Sequence, residues 1–296
     1  MPMLAIIGPT GNVGAQVADL VVNADPPMEY RLAAHTPQKL RDKYGEETNV
    51  VRFDYDDRST WDAVLKDVDV LFLLFPLPSP RTVNTRMKPF IDAAAAAKVG
   101  HIVYVAVPGA DTQKIVPHYA VERHIEASGV PYTFLHPTYF MQNLCRKIST
   151  HGVDIMDHDE IYIPAKDSVT TFIDARDVAE VAVGIIRDPA PHTGQTYVLT
   201  GPEPLTFYDV ADEFSEVMGR DIKYANPSYP AYWNRMIRRG LTWDVLGFMT
   251  VVYWLSRTGK NAQQTDTLPK MLGREPTKMK QFIEDYLPHW ENRDWT

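Results

Sequence analysis

Leu4-Ala5-Ile6-Ile7-Gly8-Pro9-Thr10-Gly11-Asn12-Val13-Gly14 is the stretch that decides the fold. An apolar run feeds three glycines at three-residue spacing, which reads as a buried strand, a tight turn and a helix start. Gly8 permits the turn, Gly11 lets backbone approach a phosphate, and Gly14 lets the helix pack closely on the strand. The helix N-terminus then offers N–H groups and a partial positive charge to a dinucleotide diphosphate. Thr10, Asn12 and Val13 complete the candidate contacts. Such a triplet also occurs in ordinary strand–helix turns, but its place behind the first strand favours the dinucleotide.

Outward from that turn, the first half alternates β-rich runs with helical patterns, as in an α/β protein with a parallel sheet wound on both faces. Strands are expected at Tyr30–Ala34, Val50–Phe53, Val68–Phe75, His101–Val107 and Tyr132–Leu135. Helices are expected at Ala15–Val22, Met87–Val99 (stopped by Gly100) and Pro117–Ala127. The rhythm then changes. Short strands at Ile161–Ile163, Val169–Ile173 and Tyr197–Leu199 mix with helices at Arg176–Arg187 and, capped by Thr206, up to Met218. Tyr229–Leu255 is helical and rich in aromatics, and Thr277–Tyr286 is an amphipathic helix. The division expected is residues 1–150 as the dinucleotide-binding domain and 151–296 as a mixed segment completing the sheet and forming a helical, substrate-binding part.

The 296 residues carry a net charge of −8 with the basic residues scattered, which argues against nucleic acid as a partner. No run reaches the roughly 20 apolar residues of a membrane span, and the chain enters a strand at once without a signal-peptide pattern. A single cysteine, Cys145, excludes an internal disulfide and a cysteine-based zinc cluster. His118 and His124, six residues apart, do not converge on a metal. A cytosolic monomer or homodimer acting on a small molecule is expected.

Several stretches together resemble the NmrA-like atypical short-chain dehydrogenases/reductases. They are the glycine turn, His101-Ile-Val-Tyr104, His118-x-x-x-Glu122, the run Pro131–Asn143, Phe172–Ala179 and Leu272–Phe282. The resemblance implies a Rossmann domain with a smaller, mostly helical C-terminal part covering the substrate. It also implies NADP or NAD as cofactor. No carboxylate follows Ala34, where an NAD-specific protein would bind ribose. His35, Thr36 and Lys39 stand there instead, which favours a 2′-phosphate and NADP, although relatives often carry Arg in place of His35. The alternative is that Thr36-Pro37 merely caps a helix. Asp54-Tyr55 resembles the adenine-contacting pair, with a surface cap as the other reading of Asp54. Phe75, Pro76, Val107, Pro137 and Phe140 fall where the family lines the cofactor, with Phe140 packed on nicotinamide.

The resemblance breaks at the catalytic pair. Alignment on Glu122 puts Lys114 and His118 where ordinary relatives hold Tyr and Lys, and Val105-Ala106-Val107 lacks the usual serine. Tyr119-Ala-Val-Glu-Arg123 mimics the spacing one residue out of phase, about 100° round the helix. His118 is the remaining proton donor, one turn before Glu122, whose carboxylate would orient the ring. A purely structural His–Glu pair is the equal alternative. Asp174 and Asp177 read as caps.

Hydride transfer to a conjugated, electron-poor acceptor needs no protein acid, since positioning supplies most of the rate. The reading is therefore an NADPH-dependent reductase of an aromatic or conjugated small molecule. Tyr139, Asn143, Trp233, Trp243, Tyr253 and Trp254 are the candidate substrate contacts. The rival readings are a non-catalytic redox sensor that binds the dinucleotide, and a non-redox isomerase or cyclase on the same fold.

Overall fold

The protein is represented by a computed structural model describing residues 2–76, 78–145, 151–257, 259 and 262–293. It divides into two compact units, Met1–Pro137 with Val178–Val198, and Thr138–Asp177 with Leu199–Thr296. The chain passes from one to the other three times.

In the first unit, β1 (Leu4–Ile7), β2 (Tyr30–Ala34), β3 (Val50–Arg52), β4 (Val70–Leu74), β5 (His101–Val105) and β6 (Tyr132–Pro137) join one sheet. Its order is β3-β2-β1-β4-β5-β6, with one further strand, Gln195–Leu199, outside β6. The pairings from β3 to β6 are parallel, with Leu4 opposite both Tyr30 and Val70. This is the doubly wound Rossmann order, and the order reverses at β1 and β4. Every residue of β1 and β5 is buried, as expected for strands covered on both faces. The helix Asn12–Val22 presents Val13, Gly14, Val17, Ala18 and Val21 inward at helical spacing.

The end of the alanine-rich helix differs from expectation for a physical reason. Gly100 does not stop the alanine-rich helix, which spans Lys88–Ala96 and ends where Lys98 takes a left-handed φ of 60°. Gly100 serves close approach instead: a Cβ there would lie 2.7 Å from the Asp69 carbonyl oxygen, beside which β5 starts. By contrast Gly129, with φ 77°, does terminate Pro117–Ser128.

The second unit holds β7 (Tyr139–Phe140), β8 (Glu160–Ile161), β9 (Thr170–Ile173), β11 (Pro204–Leu205) and β12 (Lys223–Tyr224), the intervening Gln195–Leu199 being β10. They form a three-stranded β11-β9-β7 sheet and a β12-β8 pair. Thr206 caps Phe207–Met218 through a reciprocal box with Asp209. The terminal helix runs from Met279 to Glu291, past Pro288, because Trp290 is fully buried against Phe214 and Phe282. That burial outweighs the proline, since interring a tryptophan gains about 3 kcal/mol.

Asp174 acts as the expected cap, accepting from the Arg176 backbone N–H at 2.8 Å. Asp177 does something else. It accepts from Arg274 Nη2 at 2.8 Å, the Thr277 N–H at 2.7 Å and the Thr277 hydroxyl at 3.1 Å, pinning the segment that leads to the last helix. Asp177→Ala is expected to lower stability by about 2 kcal/mol, read as a shifted urea midpoint with unchanged slope; a shift below about 0.5 kcal/mol contradicts the clamp.

Candidate functional site

The glycine turn sits at the C-terminal end of β1, where the strand order reverses. Gly8 adopts φ +72°, a left-handed conformation that favours glycine. Gly14 is held against the turn itself: a Cβ on it would stand 2.1 Å from the Gly8 carbonyl oxygen and 3.1 Å from Leu74 Cδ1. Gly11 is different, because a Cβ there meets nothing closer than 3.4 Å. The protein's own packing therefore demands glycine at 14 but tolerates a methyl at 11. Gly11 is the N-cap and carries no side chain to cap the first turn, which leaves the helix end suited to an anion. Thr10 is exposed, Gly11 and Asn12 are half-buried, and Val13 is buried below.

Beyond β2, His35, Thr36 and Lys39 are all exposed. Thr36 stands at the N-cap of the helix Pro37–Tyr44, with Pro37 in its first turn, and its side chain makes no capping hydrogen bond. His35 Nε2 lies 3.5 Å from Asp54 Oδ2. Asp54 also accepts from the Asp56 N–H at 2.9 Å, as a surface turn would. Tyr55 is a core residue: its ring packs edge-on against Phe53 and Phe90, and its hydroxyl donates to the Leu74 carbonyl at 2.8 Å. It thereby supports Leu74, whose Cδ1 a Cβ on Gly8 or Gly14 would meet at 3.2 and 3.1 Å.

The expected His118–Glu122 pair is replaced by two others. His118 Nδ1 is 2.7 Å from the Tyr104 hydroxyl. Glu122 Oε1 is 2.6 Å from His136 Nε2 on β6, with both side chains fully buried. Helical spacing identifies neighbours on one face of a helix, not the strand residue beneath them, and sequence reading passed over His136. Burial, with a smaller push from His136, lowers the His118 pKa to about 3. The ring is therefore neutral near pH 7, which corrects its expected use as a charged acid. Burial also holds the Tyr104 phenol well above its ordinary range. Phe75, following β4, stands edge-on to His118 at 5.2 Å between centroids. Pro76 is exposed, Val107 half-buried and Pro137 buried.

In the second unit, Tyr139, Asn143 and Tyr253 do come together. Tyr139 hydrogen-bonds Asn143 and Tyr253, and Tyr253 meets His151 Nε2 at 2.8 Å, a partner the sequence did not signal. Phe140 beside them is half-buried. The tryptophans do not join this cluster: Trp243 and Trp254 are 72% and 58% exposed, and Trp233 donates to the Thr250 hydroxyl at 2.9 Å. Among the described residues, no group of three His, Cys, Asp or Glu is placed to hold a metal, and no helix is long and apolar enough to cross a membrane.

Against known proteins, the model of the NmrA-like family matches residues 2–280. An NAD(P)H azoreductase from Xenophilus azovorans is 30% identical over 286 residues, covering 95% of this chain and 97% of its own. The fold matches a triphenylmethane reductase from Citrobacter sp. complexed with NADP(H) at a TM-score of 0.82 and 21% identity, covering 96% of this chain and 99% of that one. It also matches NmrA, a negative transcriptional regulator, in complex with NADP at 0.72 and 17%, covering 100% and 98%.

Two predictions follow from the geometry. Gly11→Ala is expected to fold with wild-type stability and bind dinucleotide about 10-fold or more weakly, whereas Gly14→Ala loses about 1–3 kcal/mol of stability; equal stability of the two variants contradicts the assignment. The second concerns acid. His101, His118 and His151 are buried with folded pKa values of about 4, 3 and 4, below the unfolded value of 6.5. Unfolding then takes up protons, so their contribution is whole above about pH 6.5 and lost as the pH falls toward 3–4. The urea midpoint should drop between pH 6.5 and 4; a flat midpoint contradicts the burial of neutral rings.

Proposed function

The chain belongs to the NmrA-like family, and from that membership and the geometry of its first unit we propose that it is an NADPH-dependent reductase of conjugated, electron-poor small molecules of quinone or dye type. The observation that carries this reading is the turn after β1, where Gly14 closes on the Gly8 carbonyl while Gly11 keeps a space its own packing does not require. NADPH, when bound, supplies a hydride from its nicotinamide ring.

The chain's own residues do the rest. Gly8, Gly11 and Gly14, with the first-turn N–H groups, hold the diphosphate. The uncapped Thr36 hydroxyl, the Lys39 ammonium and His35 receive the 2′-phosphate. Tyr104 keeps its proton; with its hydroxyl donating a hydrogen bond to His118 Nδ1, the neutral imidazole would carry its own proton on Nε2. A neutral imidazole N–H held in this way stabilises negative charge growing on an acceptor oxygen or nitrogen, and water supplies the proton. An acceptor whose charge spreads over a conjugated system suits a site without a charged acid. The azoreductase and triphenylmethane reductase relatives support that substrate class.

Purified protein should oxidise NADPH in the presence of a quinone or cationic dye. Substituting His118→Ala is expected to lower kcat about 100-fold while the affinity for NADPH stays within about 3-fold. Cofactor binding without oxidation by any acceptor would place the chain with the regulator instead, and a wild-type rate in the variant would remove His118 from the chemistry.

A further inference from the structure

In the second unit, the helix Trp243–Ser256 is apolar on two opposite faces. One face is buried and holds Leu246, Met249 and Tyr253. The other carries Gly247, Phe248, Val251 and Trp254 at three- and four-residue spacing, with Trp243 at its start, and all five are exposed. A surface helix ordinarily turns charged residues to water, yet Asp244 is the one charged residue in this helix. The helix Tyr229–Arg238 adds Trp233 and Ile237, one turn apart and both exposed. Trp233 Nε1 donates to the Thr250 hydroxyl at 2.9 Å, which joins the two helices into one face.

The size of this face bears on what covers it. A whole tryptophan carries about 250 Å², so Trp243 and Trp254 together expose about 320 Å². With Trp233, Ile237, Phe248 and Val251, the face offers roughly 600 Å² of side chain. A soluble monomer rarely exposes a larger contiguous apolar patch. Two such faces meeting bury roughly 1,200 Å², which reaches the range of stable protein interfaces before any polar rim is counted.

Charge selects the occupant. The net charge of −8 opposes an anionic bilayer surface, and Asp244 would have to enter the lipid with the tryptophans. A second copy of the chain meets neither obstacle. Parallel pairing of the helix with itself would bring the two Asp244 carboxylates together. Antiparallel pairing separates them by about 20 Å, the length of the helix. It also sets each Asp244 at the end where the partner's Arg257 follows the helix. A Cβ on Gly247 would meet no atom within 4 Å, so this position leaves room on the face for a bulky side chain from the second copy.

We propose that this face is the two-fold interface of a homodimer, with the helix Trp243–Ser256 packed antiparallel on the same helix of a second copy. One self-complementary surface is what a two-fold contact requires. The aromatic residues then serve assembly, independently of the hydride chemistry.

Sedimentation velocity on the full chain tests this directly. With an interface of this size, the wild type should run as a dimer at about 100 µM. Val251→Glu and Trp254→Glu each place an unpaired carboxylate at the centre of the contact, so each should raise the dissociation constant about 100-fold or more. Both positions are exposed, so both variants should keep the wild-type circular dichroism. Leu20→Glu, at an exposed apolar position on the helix Asn12–Val22, should leave the dimer intact. A monomeric wild type at about 100 µM overturns the proposal. So does a dimer that both variants leave unchanged, or one that Leu20→Glu dissociates equally. Two further results would assign the face to another occupant and overturn the dimer. One is a monomeric wild type that pellets with vesicles of phosphatidylcholine and phosphatidylglycerol. The other is a monomeric wild type whose KM for a quinone rises in the two variants.

Discussion

The closure of Gly14 on the Gly8 carbonyl is the constraint on which the first unit depends. Any side chain at 14 would press into backbone at 2.1 Å, so the first turn of the helix Asn12–Val22 needs glycine at its third position. That one contact fixes where the helix N-terminus stands relative to the end of β1, and with it the direction of the first-turn N–H groups. Leu74, at the end of β4, closes the space that a side chain at either glycine would need, and its carbonyl accepts from the Tyr55 hydroxyl. The cradle is thus a joint product of β1, β4 and the aromatic cluster of Phe53, Tyr55 and Phe90.

Much of this was legible because it is local. The apolar run, the glycine spacing and the strand alternation fix β1, the turn and the doubly buried strands β4 and β5. Gly129 and Thr206 also act at the ends their chemistry announces. Gly100 shows the limit of such reading. Next to an alanine-rich helix a glycine looks like a stop, yet its purpose is the approach of Asp69, 31 positions earlier in the chain. The last helix, expected to end at Tyr286, continues to Glu291 because Trp290 is buried against distant aromatics.

The candidate site divides along the same line. Gly8 and Gly14 make the close turn that their spacing announces, and Thr36 and Lys39 lie exposed after β2. Tyr55 belongs to the core, and Glu122 takes its partner from β6 rather than from the residue one turn away. Parallel strands bring Tyr104 and Phe134 into register, and His136, two residues further on, then meets the helix that crosses over them. No periodicity within either segment contains that meeting. In the second unit His151 and Tyr253, 102 positions apart, form another pair of this kind.

The central claim is that this chain moves hydride from a nicotinamide it binds at the β1 turn. The most direct test is a single-turnover experiment in which protein saturated with NADPH, or with NADPH deuterated at C4, is mixed with a quinone. Hydride transfer predicts loss of the reduced-nicotinamide absorbance, slower with deuterium in the transferred position. Bound NADPH whose absorbance persists in the presence of quinone and dye acceptors would contradict it.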